Sequence, residues 1–565
     1  MQTLQKYLLD LATQAIWAAC GEHINPEITV STHAHYQCND ALKLAKTLKC
    51  NPRELAQKII EHFDTENIAK IEIAGPGFIN ITLSSSFLSS QLTQQMKDPL
   101  LGAPKADHPM RIIVEFSSPN IAKELHVGHL RSTIIGDALA RLFEFLGHDV
   151  LRLNHVGDWG TQFGMLISYM KEYATDALTG TAEAQLPQLM EWYRAAKKCF
   201  DENPDFKKRA QEEVVALQGG DPNSLKAWRT ICAISRQAFE EIYTLLDVKL
   251  IERGESFYNP HLSNVVADLE AKGMVTVSDG AKCIFLDGFK GSDGKPFPMI
   301  IQKSDGGFNY STTDMATMRQ RVQDEKADRI IVVTDNGQKQ HFQMVEAAAK
   351  KAGYLNQQFE HVTFGVVLSS TGKKFKTREG STEKLIDLLN TAIERAEEIF
   401  QERLPDLEPQ ERHQMATILG IDAVKYADLS CLRTKDYTFS YDRMLKFEGN
   451  TAAFLLYAYV RIQGIKRRIN KPIRPMIQLE HPSEIFLGLH LRRFGETLES
   501  MSRELLPNRL TDYLYELAEK FHAFFRDCHV EGSPQESERL ALCECTGQIL
   551  ACGLNILGLK TLEKM

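Results

Sequence analysis

Two histidines three residues apart, His126 and His129, open a long segment with helical periodicity. They follow a short apolar segment and a Ser-Ser-Pro-Asn turn. Residues at i and i+3 share one face of a helix, so both rings should point the same way. Imidazoles and the free N–H groups of a helix N-terminus both favour a phosphate ligand. Between them, Gly128 leaves room for a base or ribose to approach the backbone.

The same pair could instead bind a metal ion or be two ordinary surface histidines. No third histidine, cysteine or carboxylate follows at a suitable interval, and no C-x-x-C pair occurs. The sequence therefore predicts no metal site and no zinc. Lys123, just before the pair, adds a positive charge that suits an anionic ligand.

The elements around the pair form a strand–helix–strand unit over residues 111–116, 127–146 and 149–154. A second unit covers residues 329–334, 338–352 and 361–367. Two such units separated by a long insertion predict a doubly wound, Rossmann-like parallel sheet. The pair would lie at the carboxyl end of the first strand, where ligands bind in such sheets.

The segments before and after this sheet differ in their patterns of predicted helices and strands, so we predict a multidomain α/β chain of three parts. Residues 1–107 read as helices at 1–20 and 40–63 and strands at 70–74 and 78–83, an α+β module. Residues 108–405 hold the sheet and its insertion. Residues 406–565 predict an all-α bundle with prolines between its helices. Its helices are expected at 411–429, 452–468, 483–501, 510–522 and 536–553.

Composition narrows the class of protein further. The 565 residues are 43% hydrophobic and 25% charged, with a net charge of −8. This excludes a collagen, a disordered chain and a uniformly basic nucleic-acid coat, but not a local basic face. Eleven scattered cysteines indicate reduced thiols. No signal peptide and no apolar run of the ~20 residues that span a bilayer is seen, so we expect a cytoplasmic protein without a membrane anchor.

The segment His126-Val-Gly-His129 resembles the H-I-G-H signature of class I aminoacyl-tRNA synthetases. The longer stretches 114–133 and 154–164 are similar to arginyl-tRNA synthetases of the bacterial type, as are 75–80, 448–451 and 553–565. The resemblance spans the chain. It implies an ATP-dependent arginine–tRNA ligase that forms arginyl-adenylate and then charges the terminal adenosine of tRNA(Arg) at its 2′-hydroxyl. It also implies Mg²⁺ with ATP, tRNA binding before activation, and a monomer.

The second signature of this class, K-M-S-K, corresponds to residues 373–378. Phenylalanine and threonine stand where methionine and serine are usual. The resemblance implies phosphate contacts by Lys376 and Arg378, with Lys123 substituting for a missing cation. Which cation contacts which phosphate stays open at this point. The expected catalytic set is Lys123, His126, Gly128, His129, Lys376 and Arg378; the histidine pair, Gly128, Lys376 and Trp159 are expected at ATP.

A guanidinium is planar and always charged, so its pocket needs a carboxylate and neutral acceptors. Tyr310 and Asp314 offer a phenol and a carboxylate one helical turn apart. The resemblance adds Glu115, Asn120 and Gln338 to the arginine contacts, without assigning their individual roles. Trp159 either stacks near the nucleotide or locks the turn that contains it.

The helical part carries aromatic residues followed by six basic and no acidic residues between Arg461 and Arg474. Such a pattern suits unpaired bases and phosphates. The resemblance makes residues 406–565 an anticodon-binding domain and residues 1–107 a module that contacts the tRNA elbow. Expected tRNA contacts are Asn80, Tyr457, Arg461, Lys466 and Arg467. Alternatively, Tyr457 and Arg461 belong to the core of a buried helix.

Two other functions fit part of the pattern. A non-catalytic tRNA-binding paralogue would have lost the histidine pair or its lysines, which are intact. A small-molecule nucleotidyl ligase with the same fold would need neither the helical domain nor the basic segment.

Overall fold

The computed structural model describes residues 1–179, 183–291, 294–369, 372 and 384–565. It has the predicted multidomain α/β organisation, with an N-terminal α+β module, a parallel-sheet domain and a C-terminal helical domain. Within these ranges, no helix is long and apolar enough to cross a membrane.

The N-terminal module packs four helices against a four-stranded antiparallel sheet of order β1-β2-β4-β3. Its elements are α1 Leu4–Cys20, β1 Ile28–Val30, β2 Tyr36–Cys38, α2 Asp40–Leu48, α3 Pro52–Glu61, β3 Ile68–Ala74, β4 Phe78–Leu83 and α4 Ser85–Gln95. The single helix predicted over 40–63 is two helices. Lys49 ends the first in a left-handed conformation, and Asn51 caps the second, whose first residue is Pro52.

The second part contains the predicted parallel sheet and a long insertion. Its elements up to the second half of the sheet are β5 Arg111–Glu115, α5 Val127–Phe145, β6 Asp149–Asn154, α6 Thr161–Tyr173, α7 Thr175–Thr179, α8 Leu186–Glu202, α9 Pro204–Gln218, α10 Pro222–Leu245, β7 Ile251–Glu252, α11 Glu255–Tyr258, a 3-10 turn Asn259–His261, α12 Leu262–Ala271, β8 Thr276–Ser278, β9 Ala281–Lys290 and β10 Pro296–Gln302. The remaining elements are α13 Tyr310–Gln323, β11 Arg329–Asp335, a 3-10 turn Asn336–Gln338, α14 Lys339–Lys351, β12 Gln358–Phe364, β13 Val367–Leu368 and α15 Leu385–Arg403.

The parallel sheet has the order β12-β11-β5-β6-β7. The chain adds β6 and β7 on one side of β5 and then β11 and β12 on the other, so the strand order reverses between β5 and β11. Side chains alternate across it: Ile112 and Val114 belong to the core with α5, whereas Ile113 belongs to the core with α13 and α14. The doubly wound prediction is confirmed. Strands β8, β9 and β10 form a separate antiparallel sheet within the insertion.

The C-terminal part is helical apart from one short strand, β14, which pairs with β13. Its elements are α16 Pro409–Leu429, β14 Tyr437–Thr438, α17 Tyr441–Met444, α18 Ala452–Ile469, α19 Pro482–Arg492, α20 Phe494–Glu504, α21 Asn508–Asp527 and α22 Glu536–Ile556. The helix predicted over 483–501 breaks at Arg493. The break seats Gly495 against the first part of the chain, where a Cβ would lie 2.7 Å from the carbonyl oxygen of Gly102.

A buried polar interface joins the N-terminal module to the helical domain. The Glu496 carboxylate accepts hydrogen bonds from the backbone N–H of Gln5 and the hydroxyl of Tyr36, both at 2.8 Å. Arg492 donates to the Gln95 side chain and to the carbonyl of Gln2, both at 3.0 Å. These contacts join residues 397 to 491 positions apart in sequence.

Candidate active site

A cavity of about 810 Å³ lies at the carboxyl end of the parallel sheet, as the fold predicts. Residues at or just after the end of each of the five strands line the cavity. They are Phe364–Val367 for β12, Thr334, Asp335, Gly337 and Gln338 for β11, Glu115, Ser117, Ser118 and Asn120 for β5, His155 and Gly157 for β6, and Glu255 for β7. Helix α5 adds its N-terminus, and α13 and α14 add Tyr310, Asp314 and His341.

The two histidines cap the helix that they open. Nδ1 of His126 accepts a hydrogen bond from the N–H of Gly128 at 3.1 Å, and Nδ1 of His129 accepts one from the N–H of His126 at 3.1 Å. Because both Nδ1 atoms are acceptors, each neutral ring carries its proton on Nε2. Both rings line the cavity, with their centroids 4.0 Å apart.

Both rings are neutral at physiological pH. Burial, followed by the electrostatic effects of His126 and Lys123, lowers the pKa of His129 to about 3. Burial, followed by the charge of Lys123, also lowers the pKa of His126. The pair therefore offers neutral N–H donors, which stabilise a developing negative charge without proton transfer.

Gly128 is required by the ring of His126 itself. A Cβ at this position would lie 2.9 Å from Cε1 and 3.1 Å from Nδ1 of His126. From the sequence alone, Gly128 is predicted to admit a base or ribose to the backbone. The structure shows that it first admits the capping imidazole.

The loop between β5 and α5 is strained and firmly held. Ser117, Ser118 and Ala122 have φ values of 71°, 48° and 59°, which non-glycine residues rarely adopt. The hydroxyl of Ser132 accepts from the N–H of Ser117, and the side chain of Asn154 accepts from that of Ser118, both at 3.0 Å. Such strain is typical of functional loops whose surroundings fix them.

Arg131, one turn along α5, joins the cavity to the helical domain. It is fully buried, its Nε lies 3.0 Å from Oδ2 of Asp428 on α16, and its Nη1 donates to the carbonyls of Gly365 and Lys435 at 2.7 and 3.1 Å. Gly365 also lines the cavity. The Arg131 guanidinium thus connects helix α5 to the end of strand β12 and to helix α16.

Tyr310 and Asp314 lie on one face of α13, as predicted from their spacing. Nε2 of His341 lies 2.6 Å from Oδ2 of Asp314, and its ring meets that of Tyr310 edge-on with centroids 4.9 Å apart. The second carboxylate oxygen of Asp314 has no hydrogen bond among the described residues. This cluster presents a carboxylate and a phenol to a planar cation.

The other three predicted arginine contacts, Glu115, Asn120 and Gln338, also line the cavity. The carboxylate of Glu115 is already paired, because Oε2 accepts a hydrogen bond from Nη2 of the buried Arg321. Oε1 accepts no hydrogen bond from the described residues. A Cβ at Gly157 would lie 2.1 Å from Oδ1 of Asn120, so this glycine gives the Asn120 side chain its space.

Sequence reasoning missed several cavity residues, among them His341, Glu255 and His155. Burial, with the charges of Asp158 and Asp314, raises the pKa of Glu255 to about 7 against the opposing effect of His155. A bound cation would relieve this cost. Nδ1 of His155 is buried without a hydrogen-bond partner in the described part of the chain. Glu255 belongs to no motif. His155 lies in the stretch 154–164 that carries the resemblance, but its residue type and spacing did not single it out as a cavity residue.

Four residues predicted for the catalytic or nucleotide site are not found at the cavity wall. Two lie elsewhere in the fold, and two lie outside the described residues. Trp159 is half-buried and packs edge-on against Trp228 with centroids 5.9 Å apart, which favours the turn-locking role over a nucleotide contact. Lys123 is exposed and does not line the cavity, although its charge reaches both histidines. Residues 373–378, with Lys376 and Arg378, lie outside the described residues.

The helical domain presents a cluster of aromatic rings around Arg461. Its guanidinium lies over the rings of Tyr457 and Phe525 at 4.9 and 5.0 Å and donates to the Tyr457 hydroxyl at 2.7 Å. It also lies 3.2 Å from Nδ1 of His522, whose pKa burial and the Arg461 charge lower to about 4. Tyr457 and Arg461 are half-buried, so both predicted roles, core and contact surface, are compatible with this placement.

The basic segment after Arg461 is neutralised by acidic residues from elsewhere in the chain. Lys466 pairs with Glu544 at 2.6 Å, and Arg467 with Glu563 at 3.6 Å. The sequence suggested an unopposed positive run because those carboxylates lie about 80 or more positions later. Lys466 and Arg467 therefore form intramolecular ion pairs in this structure.

Asn80, an expected tRNA contact, is buried in the N-terminal sheet. It lies within β4, is 4% exposed, and its Oδ1 accepts a hydrogen bond from the Gln37 side chain at 2.7 Å. Its amide satisfies a polar position inside the sheet, between β2 and β3. The contact of Asn80 with the tRNA elbow stays a prediction.

Among the described residues, no group of three or more His, Cys, Asp or Glu side chains could hold a metal ion. All eleven cysteines are free thiols.

Three family models match the chain. The catalytic domain of class I tRNA synthetases (R) covers residues 89–441, the DALR anticodon binding domain covers 455–565, and the arginyl tRNA synthetase N terminal domain covers 2–83. Together they account for nearly the whole sequence.

Curated relatives and solved structures agree with these models. The chain is 58% identical to an arginine–tRNA ligase of Protochlamydia amoebophila and 51% identical to one of Chlamydia abortus, over 100% of each chain. A solved arginyl-tRNA synthetase from Plasmodium falciparum superimposes with a TM-score of 0.87 at 32% identity, and covers 100% of both chains. That of Thermus thermophilus, at 23% identity and a TM-score of 0.83 with 100% coverage of both chains, supports the fold.

Proposed function

The chain belongs to the arginyl-tRNA synthetases, and from this premise we propose how its residues carry the reaction. It is an arginine–tRNA ligase, which activates L-arginine with ATP and transfers the arginyl group to tRNA, releasing AMP and pyrophosphate. The observation that carries the assignment of roles is the capped histidine pair, whose Nε2–H groups share one cavity with four carboxylates.

In the first step, a carboxylate oxygen of L-arginine attacks the α-phosphorus of ATP. A new P–O bond forms, the bond to the β-phosphate breaks, and pyrophosphate leaves. We assign the Nε2–H donors of His126 and His129 to the phosphate oxygens, where negative charge increases. Lys123, Lys376 and Arg378 are proposed as the cations around the triphosphate. Mg²⁺ arrives with ATP, held by phosphate oxygens and water.

L-arginine is proposed to lie with its guanidinium toward Asp314, Glu255 and Tyr310. A carboxylate and a phenol next to a second, buried carboxyl suit a planar cation with five donors. Glu115, Asn120 and Gln338 then serve the α-ammonium and carboxylate end. This orientation aims the substrate carboxylate at the phosphate held by the histidine pair.

In the second step, the 2′-hydroxyl of the terminal adenosine of tRNA(Arg) attacks the arginyl carbonyl, and AMP leaves. We propose that residues 406–565 bind the anticodon region through the cluster around Arg461, that residues 1–107 contact the tRNA elbow, and that residues 108–405 form the catalytic unit. We further propose a cytoplasmic monomer that binds tRNA before it activates arginine. The free cysteines support a reducing compartment.

Arginine-dependent exchange between ATP and labelled pyrophosphate tests the proposal. Exchange only in the presence of tRNA(Arg) is expected, and it should be absent when lysine replaces arginine. Exchange without tRNA would remove the tRNA-first order but keep the ligase. Absence of exchange under every condition, from protein that binds ATP, would overturn the assignment of the cavity.

A further inference from the structure

Arg321 is a buried arginine whose side chain donates its hydrogen bond to Glu115, a carboxylate of the substrate cavity. It is 1% exposed, and its Nε and Nη1 atoms have no hydrogen-bond partner in the described part of the chain. The buried phenol of Tyr258 also interacts with this guanidinium. The protein thus keeps a fixed guanidinium at the wall of a pocket for a guanidinium substrate.

Helix α13 brings this arginine to the cavity. Arg321 follows Asp314 by seven residues, or about two turns, so both lie on the same face of the helix. Glu115 ends β5 on the side of the sheet that packs against α13, as the shared core of Ile113 with this helix shows. One helix therefore supplies a carboxylate to the substrate and a cation to the carboxylate of the neighbouring strand.

L-arginine has two cationic ends, and each can pair with a carboxylate. The cavity holds Glu115, Glu255, Asp314 and Asp335, the last of which already accepts the backbone N–H of Gly337, so charge alone would allow the substrate to lie in either direction. Arg321 removes this symmetry, because its charge balances that of Glu115. The uncompensated negative charge lies toward Asp314 and Glu255, where a guanidinium binds best.

We propose that Arg321 is a positioning residue that sets the direction in which L-arginine lies in the cavity. It holds Glu115 through Oε2 and leaves Oε1 to accept a hydrogen bond from the α-ammonium group. It also repels the substrate guanidinium from this end. The inference rests on the proposed function of the cavity and adds a residue to it that contacts no substrate.

The test compares two ligands, L-arginine and 5-guanidinopentanoate, which lacks the α-ammonium group. Isothermal titration calorimetry gives both dissociation constants for the wild type and for Arg321→Met. The variant should bind L-arginine about tenfold more weakly, the effect of one hydrogen bond to a charged group. Binding of 5-guanidinopentanoate should change less than about twofold.

Three further variants isolate the role. Arg319→Met removes the same charge from the same helix. Arg319 does not line the cavity and donates a hydrogen bond to Gln323 at 3.2 Å, so the dissociation constants of both ligands should stay unchanged. Arg321→Lys keeps the cation and should recover most of the L-arginine affinity. In a Glu115→Gln background, Arg321→Met should cause no further selective loss.

Equal weakening of both ligands would overturn the proposal and leave Arg321 a purely structural residue, as would no change in either. If Arg321→Met does not fold, Glu115→Gln carries the test, and it must weaken L-arginine selectively. Failure of the proposed function would show separately, as wild-type protein that binds L-arginine without arginine-dependent pyrophosphate exchange.

Discussion

Nδ1 of His129 accepts the backbone N–H of His126 at 3.1 Å, so one hydrogen bond both caps helix α5 and orients a ring toward the cavity. The cap fixes the tautomer, because an accepting Nδ1 leaves the proton on Nε2. Structural and chemical roles therefore belong to different nitrogens of one side chain, and amide side chains can separate them.

We expect His129→Asn and His129→Gln to have opposite effects on stability and rate. Asparagine can place its oxygen at the capping position but not a donor at Nε2, so activation should slow roughly 10²–10³-fold at nearly wild-type stability. Glutamine reaches toward the Nε2 position, so it should retain more activity but lose about 1 kcal/mol of capping. Single-turnover adenylate formation measures the rate of activation, and thermal unfolding measures the stability. Faster adenylate formation in His129→Asn than in His129→Gln would contradict the assignment of the Nε2–H donor to the phosphate.

Asp314→Asn should weaken L-arginine binding at least about tenfold, because one charge-assisted hydrogen bond to the guanidinium is lost. ATP binding should persist. Asp305→Asn is the matched control, since Asp305 lies in an exposed turn and accepts the N–H of Gly307 at 2.9 Å outside the cavity. Unchanged arginine affinity in Asp314→Asn would remove this residue from the pocket.

Arginine binding should depend on pH through Glu255. With a raised pKa of about 7, this carboxyl is neutral below and ionised above that pH. Binding should therefore tighten between pH 6 and pH 8, and near pH 6.5 it should release a proton. The groups that face Glu255 are His155, Asp158 and Asp314. Calorimetry in buffers of different ionisation enthalpy detects the proton.

In Glu255→Gln, the proton release should disappear. The matched control is Glu270→Gln, an exposed position paired with Lys282 at 2.7 Å, where the release should remain. Proton release that survives in Glu255→Gln would assign it to a different group.

The buried pair of Arg131 and Asp428 should be costly to break. Both side chains are 0% exposed, so Asp428→Leu leaves an unpaired buried guanidinium and should destabilise the chain by about 3–5 kcal/mol. Replacing both residues with leucine should cost less than the single change. Urea unfolding followed by tryptophan fluorescence compares the three proteins. A double variant less stable than Asp428→Leu would contradict this account.

Binding of tRNA should depend more on Arg461 than on Lys466. Arg461 is held by aromatic rings and His522, whereas the Lys466 ammonium is already paired with Glu544. Arg461→Ala should weaken tRNA(Arg) about tenfold, and Lys466→Ala less than about threefold. Filter binding at two salt concentrations measures both. A larger loss from Lys466→Ala would show that its ion pair opens on binding.

Much of the fold follows from local sequence patterns. Strand β6 and helix α5 have the predicted bounds to within a residue or two, because an apolar strand and a Gly147 stop are both local signals. The five predicted arginine contacts share one cavity, as the sheet topology requires. Lys376 and Arg378 stay predictions.

What the sequence missed depends on contacts between distant residues. Glu255 reaches the cavity from a four-residue helix after a two-residue strand, and neither has a recognisable pattern. The partners of Lys466 and Arg467 come from the last 25 residues. Asn80 lies between two isoleucines that predicted a strand, but only the position of β4 inside the sheet explains its burial.

The contacts of Arg492 and Glu496 with the first residues of the chain limit how this enzyme could be shortened. Deletion of the N-terminal module would remove the partners of the buried Arg492 and the half-buried Glu496 at once, and it would uncover the apolar face of α19 that now packs against α4. A truncated protein would therefore tend to aggregate, whatever its remaining catalytic competence. Any attempt at a minimal charging enzyme should redesign these two positions together with the cut.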